Sequence, residues 1–234
     1  MKLYLLPSLL AENTQHLLGA HQREVMKTLR YYFVENERTA RRFISSLQLQ
    51  VDIGQLQLFP LDKRTSLGQV KACFQQIAPG HDVGVLSEAG CPGIADPGAR
   101  AVQYAHQQGI EVIPLPGPSS ILLALMASGF SGQRFAFHGY LPVKPDERAQ
   151  ALRKLESQAL QTGQTQIFME TPFRNDSLLA SILQHCHPDT LLCIASHLTA
   201  PDQQIRTMPV QTWRKATPAL HKVPVIFLIG KQEG

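Results

Sequence analysis

Leu86-Ser87-Glu88-Ala89-Gly90-Cys91-Pro92-Gly93-Ile94-Ala95-Asp96-Pro97-Gly98 sets the fold class of this chain. It follows a short apolar run ending at Leu86 that reads as a buried strand, and it precedes a helical pattern reaching Gln108. Glycines and prolines crowded between a strand and a helix mark a tightly specified loop rather than a casual turn. Gly90 and Gly93 let backbone approach a ligand where a Cβ would intrude. Asp96-Pro97 reads as a helix entry, with Asp as N-cap and Pro at the first helical position. A strand, a small-residue loop and a helix start form a ligand-binding edge in an α/β protein.

The pattern recurs at once. Ile110 to Leu115 reads as a buried strand running into Pro116-Gly117-Pro118-Ser119-Ser120, with Pro118 able to start the apolar helix that follows. Working outward, the first half alternates strand 2–7, helix 14–27, strand 30–35, helix 37–47, strand 56–59, helix 66–78, strand 81–86, helix 97–108, strand 110–115 and helix 118–128. That alternation predicts a doubly wound parallel sheet. Gly129 to Gln133 reads as a linker, which divides the chain into an N-terminal α/β domain over 1–129 and a C-terminal α/β domain over 133–234. In the second half, a strand starts at Phe135, Asp146 can cap a helix reaching Gln161, and Asn175 to Cys186 reads as a helix. Strands are expected at 166–170, 191–196 and 223–229, and Pro224 places the last of these at a sheet edge or at a strand start. With fewer strand–helix–strand units, this half is expected to carry a mixed sheet.

The sequence has 234 residues, 44% of them hydrophobic, enough to bury a large core. No apolar run approaches the length of a membrane span, and Leu3 to Pro7 reads as a first core strand rather than a signal peptide. Four cysteines without Cys-x-x-Cys spacing read as reduced thiols, consistent with a cytoplasmic protein. His185-Cys186-His187 has the residue types of a metal site. Adjacent helical residues diverge, however, and no second pair has ligand spacing, so no metal is expected. The formal net charge of +4 is compatible with an RNA partner without requiring one. Arg38, Arg41 and Arg42 are the densest basic cluster; the alternative for them is a solvated helix face.

The loop at 87–98 resembles the Ser-Asp-Ala-Gly-x-Pro-x-Ile-x-Asp-Pro-Gly loop of the tetrapyrrole methylase superfamily, the class III S-adenosylmethionine-dependent methyltransferases. Within it, the similarity is greatest to the branch that 2′-O-methylates a cytidine of small-subunit ribosomal RNA. Pro114-Leu115-Pro116-Gly117-Pro118-Ser119 is similar to that branch's next motif, Gly139-Tyr140-Leu141-Pro142 to its Gly-Phe-Leu-Pro, and Phe168-Met169-Glu170-Thr171-Pro172-Phe173-Arg174 to its Phe-Tyr-Glu-Ser-Pro-His-Arg. The resemblance implies S-adenosylmethionine as methyl donor, with S-adenosylhomocysteine as product, in a cleft between two α/β domains. It implies donor contacts from Ser87, Glu88, Ala89, Gly90, Cys91, Ser119 and Ser120. From the second half it implies contacts from Met169, Glu170, Leu198, Thr199, Pro224 and Val225. It further implies a homodimer.

A ribose hydroxyl is barely ionised at neutral pH and benefits from a nearby base. Glu35, Glu88 and Glu170, each placed just after an apolar run, are the candidates, and each could equally cap a neighbouring helix. Arg38, Arg41, Arg42 and Arg174 could hold phosphate, or pair with carboxylates of their own chain. Four features depart from the RNA branch. Ser8 to Asn13 lacks the glycine of a Thr-Pro-x-Gly-Asn loop. Val34 to Arg38 replaces Ala-Glu-Asp-Thr-Arg. Phe173 stands where that branch has His, and the sequence runs only briefly past the last strand. These lie on substrate-side or accessory features. A tetrapyrrole or other small-molecule acceptor, or a non-catalytic S-adenosylmethionine-binding paralogue, therefore remain alternatives.

Overall fold

The computed structural model describes residues 1–231. Two compact units divide at Met1–Ser119 and Ser120–Gly234. The first holds β1 (Lys2–Leu6), α1 (Ala20–Thr28), β2 (Tyr31–Val34), α2 (Glu37–Ser46), β3 (Gln57–Pro60), α3 (Leu67–Phe74), β4 (Val83–Leu86), α4 (Ala99–Gln107) and β5 (Glu111–Pro114). Its strands are all parallel, in the order β3-β2-β4-β1-β5.

Why this is doubly wound is visible in β2, whose four residues are all buried. Tyr32 and Val34 face a core with Val25 and Met26 of α1 and Ala40 and Ile44 of α2. Tyr31 and Phe33 face the opposite core, with Val70 and Phe74 of α3 and Ala101 and Tyr104 of α4. A strand covered on both faces must be apolar at successive positions, which is why the sequence shows a continuous run there rather than alternation.

The second unit holds α5 (Ser120–Ser128), β6 (Phe135–Tyr140), α6 (Pro145–Thr162), β7 (Thr165–Met169), α7 (Asn175–His185), β8 (Leu191–Ser196), β9 (Gln204–Pro209), α8 (Val210–Lys215) and β10 (Val225–Gly230). The sheet order is β6-β7-β10-β8-β9, with only β6 and β7 parallel among its pairs. The expected mixed sheet is thus present. One core joins its face to α6, α7 and α8 through Leu152, Phe168, Leu178, Ile182, Trp213 and Phe227. The apolar helix α5 packs against β8, β9 and β10.

Several local readings need correction. Residues 14–27 are not one helix: a single 3₁₀ turn spans Gln15–Leu17, and α1 begins only after Gly19. Asp96 and Pro97 do not open α4. Gly98 (φ +145°) is its N-cap, so the loop is two residues longer than the Asp-Pro pair suggested. The apolar helix starts at Ser120 rather than Pro118, and it lies in the second unit. Lys144, not Asp146, precedes α6, with Pro145 in the first helical turn. Of the two places Pro224 allows, the strand start holds: it sits just before Val225, outside the ladder, where its missing N–H costs nothing, and the strand itself is central. β9 and α8 had no counterpart in the sequence reading. β9, Gln-Ile-Arg-Thr-Met-Pro, is a polar edge strand with no apolar run to mark it.

Asn36 fixes the start of α2. Its side chain accepts from Arg38 N at 2.9 Å and Thr39 N at 3.2 Å, satisfying two backbone donors that have no partner within the helix. Asn36→Ala is expected to cost about 1 kcal/mol, a fall in Tm of about 2–4 °C in a thermal melt.

Candidate donor and acceptor site

The carboxyl edge of the parallel sheet is built by three loops that hold one another. Ser8, after β1, forms an isolated antiparallel bridge with Gly90, after β4, through Ser8 N to Gly90 O at 2.8 Å and Gly90 N to Ser8 O at 3.2 Å. The Ser8 hydroxyl donates to Ser87 O at 2.6 Å, and the Ser87 hydroxyl donates to Gly90 O at 2.7 Å. The loop after β5 is tied in twice. Cys91 Sγ lies 3.5 Å from Pro118 O. Gly117 approaches Pro7 so closely that a Cβ on it would fall 2.4 Å from the proline Cβ.

Gly90 has φ +71°, a conformation that side-chain-bearing residues rarely adopt. A Cβ there would press to 3.3 Å from Leu10 Cδ2 and face Pro118 O. Ser87 and Gly90 are buried, Cys91 is partly buried, and Glu88 and Ala89 are exposed. Small residues here let the three loops pack closely at the edge where open α/β sheets bind their ligands.

Next to this cradle lies an acidic group. Glu35 follows β2 and Glu88 follows β4, and because those strands are neighbours both carboxylates come to one place. The Thr39 hydroxyl donates to Glu88. Asp96 joins them, which the sequence reading did not foresee, having assigned it to a helix cap. Burial pushes the Asp96 carboxyl up to about 6, helped by the charges of Glu35 and Glu88 and opposed by Lys63. Asp96 also lines a hollow of about 270 Å³ with Lys63, Pro97 and Arg100. Its place between two strand-end carboxylates could have been suspected only once β2 and β4 were known to be adjacent.

The second unit has its own edge. β10 runs antiparallel to β7 and β8, so its start meets their ends: Ile226 pairs with Met169, and Val225 with Ser196. Met169, Glu170, Leu198, Thr199, Pro224 and Val225 therefore gather at one end of this sheet. The backbone there is held in unusual shapes, with His197 at φ +53° and Thr199 at φ +72°. The Thr199 hydroxyl and Glu170 Oε2 are buried without a hydrogen-bond partner. Buried polar atoms are almost always satisfied, so these two positions fit a bound polar group.

Glu170 itself is committed. Its carboxylate is fully buried, takes Arg174 Nη2 at 2.6 Å, and accepts from Thr171 N at 2.6 Å. The pairing of Arg174 with a carboxylate of its own chain makes it an anchor for this loop. Arg41 is likewise occupied: its guanidinium donates to the carbonyls of Ile53 and Leu56, pinning the turn before β3. Arg38 and Arg42 are exposed. Cys186 is buried in the core, where its thiol is pushed up to about 12, chiefly by burial. Among the described residues no group of three His, Cys, Asp or Glu side chains is arranged to hold a metal ion. No helix among them is long and apolar enough to cross a membrane.

Comparison with known proteins matches residues 14–213 to the family model described as Tetrapyrrole (Corrin/Porphyrin) Methylases. The chain belongs to this family. Among curated relatives, a Ribosomal RNA small subunit methyltransferase I from Vibrio cholerae is 28% identical over 193 residues, covering 81% of this chain and 64% of that protein. The protein of that name from Mesorhizobium japonicum is 38% identical over 128 residues, covering 55% of this chain and 42% of its own length. The chain spans about half the length of the curated relatives it matches. Among solved structures, the methyltransferase CobJ superposes with a TM-score of 0.64 at 21% identity, covering 100% of this chain and 97% of CobJ. Uroporphyrin III C-methyl transferase from Thermus thermophilus gives 0.60 at 14%, covering 99% and 98%. These two show the shared fold.

The raised pKa of Asp96 has a thermodynamic consequence. The folded chain holds this proton more tightly than the unfolded chain, so the ionised carboxylate detracts from stability once pH rises above both pKa values. Asp96→Asn is expected to raise Tm at pH 7 by about 2–4 °C, on the order of 1 kcal/mol after allowance for solvent screening. The gain should shrink as pH falls through 6 and vanish near 4, read by thermal melts across that range.

Proposed function

We propose that the chain is an S-adenosylmethionine-dependent methyltransferase whose acceptor is RNA, with a ribose 2′-hydroxyl as the methylated group. The observation that carries this reading is the interlocked set of loops at Ser87–Gly98 and Pro114–Ser119, which bear the family's donor-side motifs on a sheet edge built for a ligand. The donor-binding residues of the first unit are Ser87, Glu88, Ala89, Gly90, Cys91 and Ser119. Those of the second are Ser120, Met169, Glu170, Leu198, Thr199, Pro224 and Val225. The buried Thr199 hydroxyl, without a hydrogen-bond partner, suits such a group.

When bound, the donor supplies a methyl group on a sulfonium that is already a good leaving group. What remains for the protein is to hold the nucleophile in line with the methyl carbon, which can lower a barrier by roughly 7–11 kcal/mol when orientation is good. The 2′-hydroxyl must also lose its proton. Asp96, Glu35 and Glu88 stand at the donor edge, and a carboxylate with its pKa raised toward neutrality is a better proton acceptor than an ordinary one. Glu170, bound to Arg174, serves instead to position its loop. Arg38 and Arg42 remain as phosphate contacts. The names of the curated relatives support RNA as acceptor, and an enzyme acting on RNA accords with a cytoplasmic location.

Calorimetry should show one S-adenosylmethionine or S-adenosylhomocysteine site per chain, and Gly90→Val, which strains a positive φ and presses on Leu10 and Pro118, should abolish it by deforming this loop. Labelled donor incubated with fractionated cell extract should then place the methyl group in RNA. Label found only in a small molecule would overturn the acceptor, and the absence of any donor binding would overturn the whole reading.

We further propose a two-fold homodimer, the commonest arrangement for soluble oligomers. Exposed Met126 (80%) and Leu122 (50%) give α5 an apolar flank suited to burial. Light scattering at micromolar concentration should return twice the chain mass; a monomer mass would refute it.

A further inference from the structure

Phe173 is the exposed residue that is hardest to explain as packing. It is 68% accessible, on the loop between β7 and α7, where a polar side chain would be cheaper. It is not loose. The His221 ring meets it edge-on, with centroids 6.0 Å apart and planes at 73°. Lys222 Nζ sits 6.0 Å from the centre of the same ring. A cation over an aromatic face is attracted by the negative face of the ring, and both partners are thereby held in position.

The two segments that supply these groups are clipped together by backbone and side-chain hydrogen bonds. Lys222 N donates to Pro172 O at 2.9 Å. Leu220 N donates to Asp176 Oδ1 at 2.7 Å, and Asn175 Nδ2 donates to Val223 O at 2.6 Å. Lys222 adopts φ +61°, a strained shape for a lysine, which persists because the clip over-determines it. The loop carrying Phe173 is itself anchored by the buried Glu170–Arg174 pair. The result is a fixed aromatic surface with one cation, Lys222, at its margin.

We infer that Phe173, His221 and Lys222 form a stacking platform for a base of single-stranded RNA, with Lys222 at the adjoining phosphate. This rests on the proposal that RNA is the acceptor and adds the residues that engage it. Charge selects the partner: the patch offers a cation beside an open ring, and a flexible polyanion with planar bases complements both. A duplex, whose bases are stacked on one another, offers no face to Phe173.

The test is fluorescence anisotropy of a labelled short single-stranded oligoribonucleotide with the full chain, with calorimetry of S-adenosylmethionine run in parallel. Phe173→Ala should weaken RNA binding about 5- to 150-fold, and Phe173→Trp should restore it. Lys222→Gln should lower the slope of log affinity against log salt by about 0.7, the loss of one single-strand phosphate contact. None of these variants should change S-adenosylmethionine affinity or Tm. Equal binding by Phe173→Ala and the parent chain would overturn the platform. So would equal affinity for a duplex, or a change of oligomeric state in Phe173→Ala that marks the ring as a protein contact. A parent chain that binds the donor but no RNA would overturn the platform and the RNA acceptor while leaving the methyltransferase reading intact. Failure to bind the donor would overturn the methyltransferase reading, RNA as methyl acceptor included, and the anisotropy result would still decide for or against the platform.

Discussion

The bridge between Ser8 and Gly90 is the contact on which the first unit's site depends. It joins the loops after two adjacent strands whose connections diverge, the place where an open parallel sheet leaves a crevice. Without a cross-link, two such loops would each be free to move, and a ligand would have to order them as it bound. Here the backbone pair and the two serine hydroxyls order the edge beforehand, and Gly117 on Pro7 brings in the third loop. Glycine at 90 and 117 answers two different demands: a positive φ at the first, and at the second the absence of any space for a Cβ.

Much of this was legible in the sequence because parallel strands covered on both faces must be apolar throughout, and because tightly specified loops at a sheet edge are dense in glycine, proline and serine. β2, β4 and β8 could be placed within a residue or two for the first reason, and 87–98 and 114–119 stood out for the second. The failures share a cause. β9 alternates polar and half-buried residues at a sheet edge, so it has no apolar run. Residues 14–19 have the composition of a helix start but close a 3₁₀ turn before Gly19. Asp96-Pro97 satisfies a local helix rule, yet Ala95 at φ +62° and Gly98 at φ +145° bend the chain onward before α4 begins.

Roles that depend on partners far along the chain were not legible at all. Arg41 in sequence is one of three similar arginines; in the fold its guanidinium is taken up by carbonyls twelve and fifteen residues away. Asp96 in sequence is a cap; in the fold it shares a neighbourhood with Glu35 and Glu88 because β4 inserts beside β2. Strand order, which no local pattern dictates, decides which carboxylates meet. Glu170 gives the converse case. Its neighbour in space is four residues away, within one helical turn's reach, and the pairing with Arg174 could have been weighed from spacing alone.

The same distinction separates two kinds of position. Where backbone shape is fixed, as at Gly90 and Gly117, small residues at fixed spacing encode it and few alternatives are tolerated. Where a side chain projects from a loop, composition is free to change as long as the loop is held. Phe173 illustrates this. The Glu170–Arg174 pair and the clip at Lys222 fix the loop whatever stands at 173, so that position can exchange histidine for phenylalanine without disturbing the fold. Under the proposed function, a scaffold of this kind separates the conditions for binding the donor from those for choosing the acceptor.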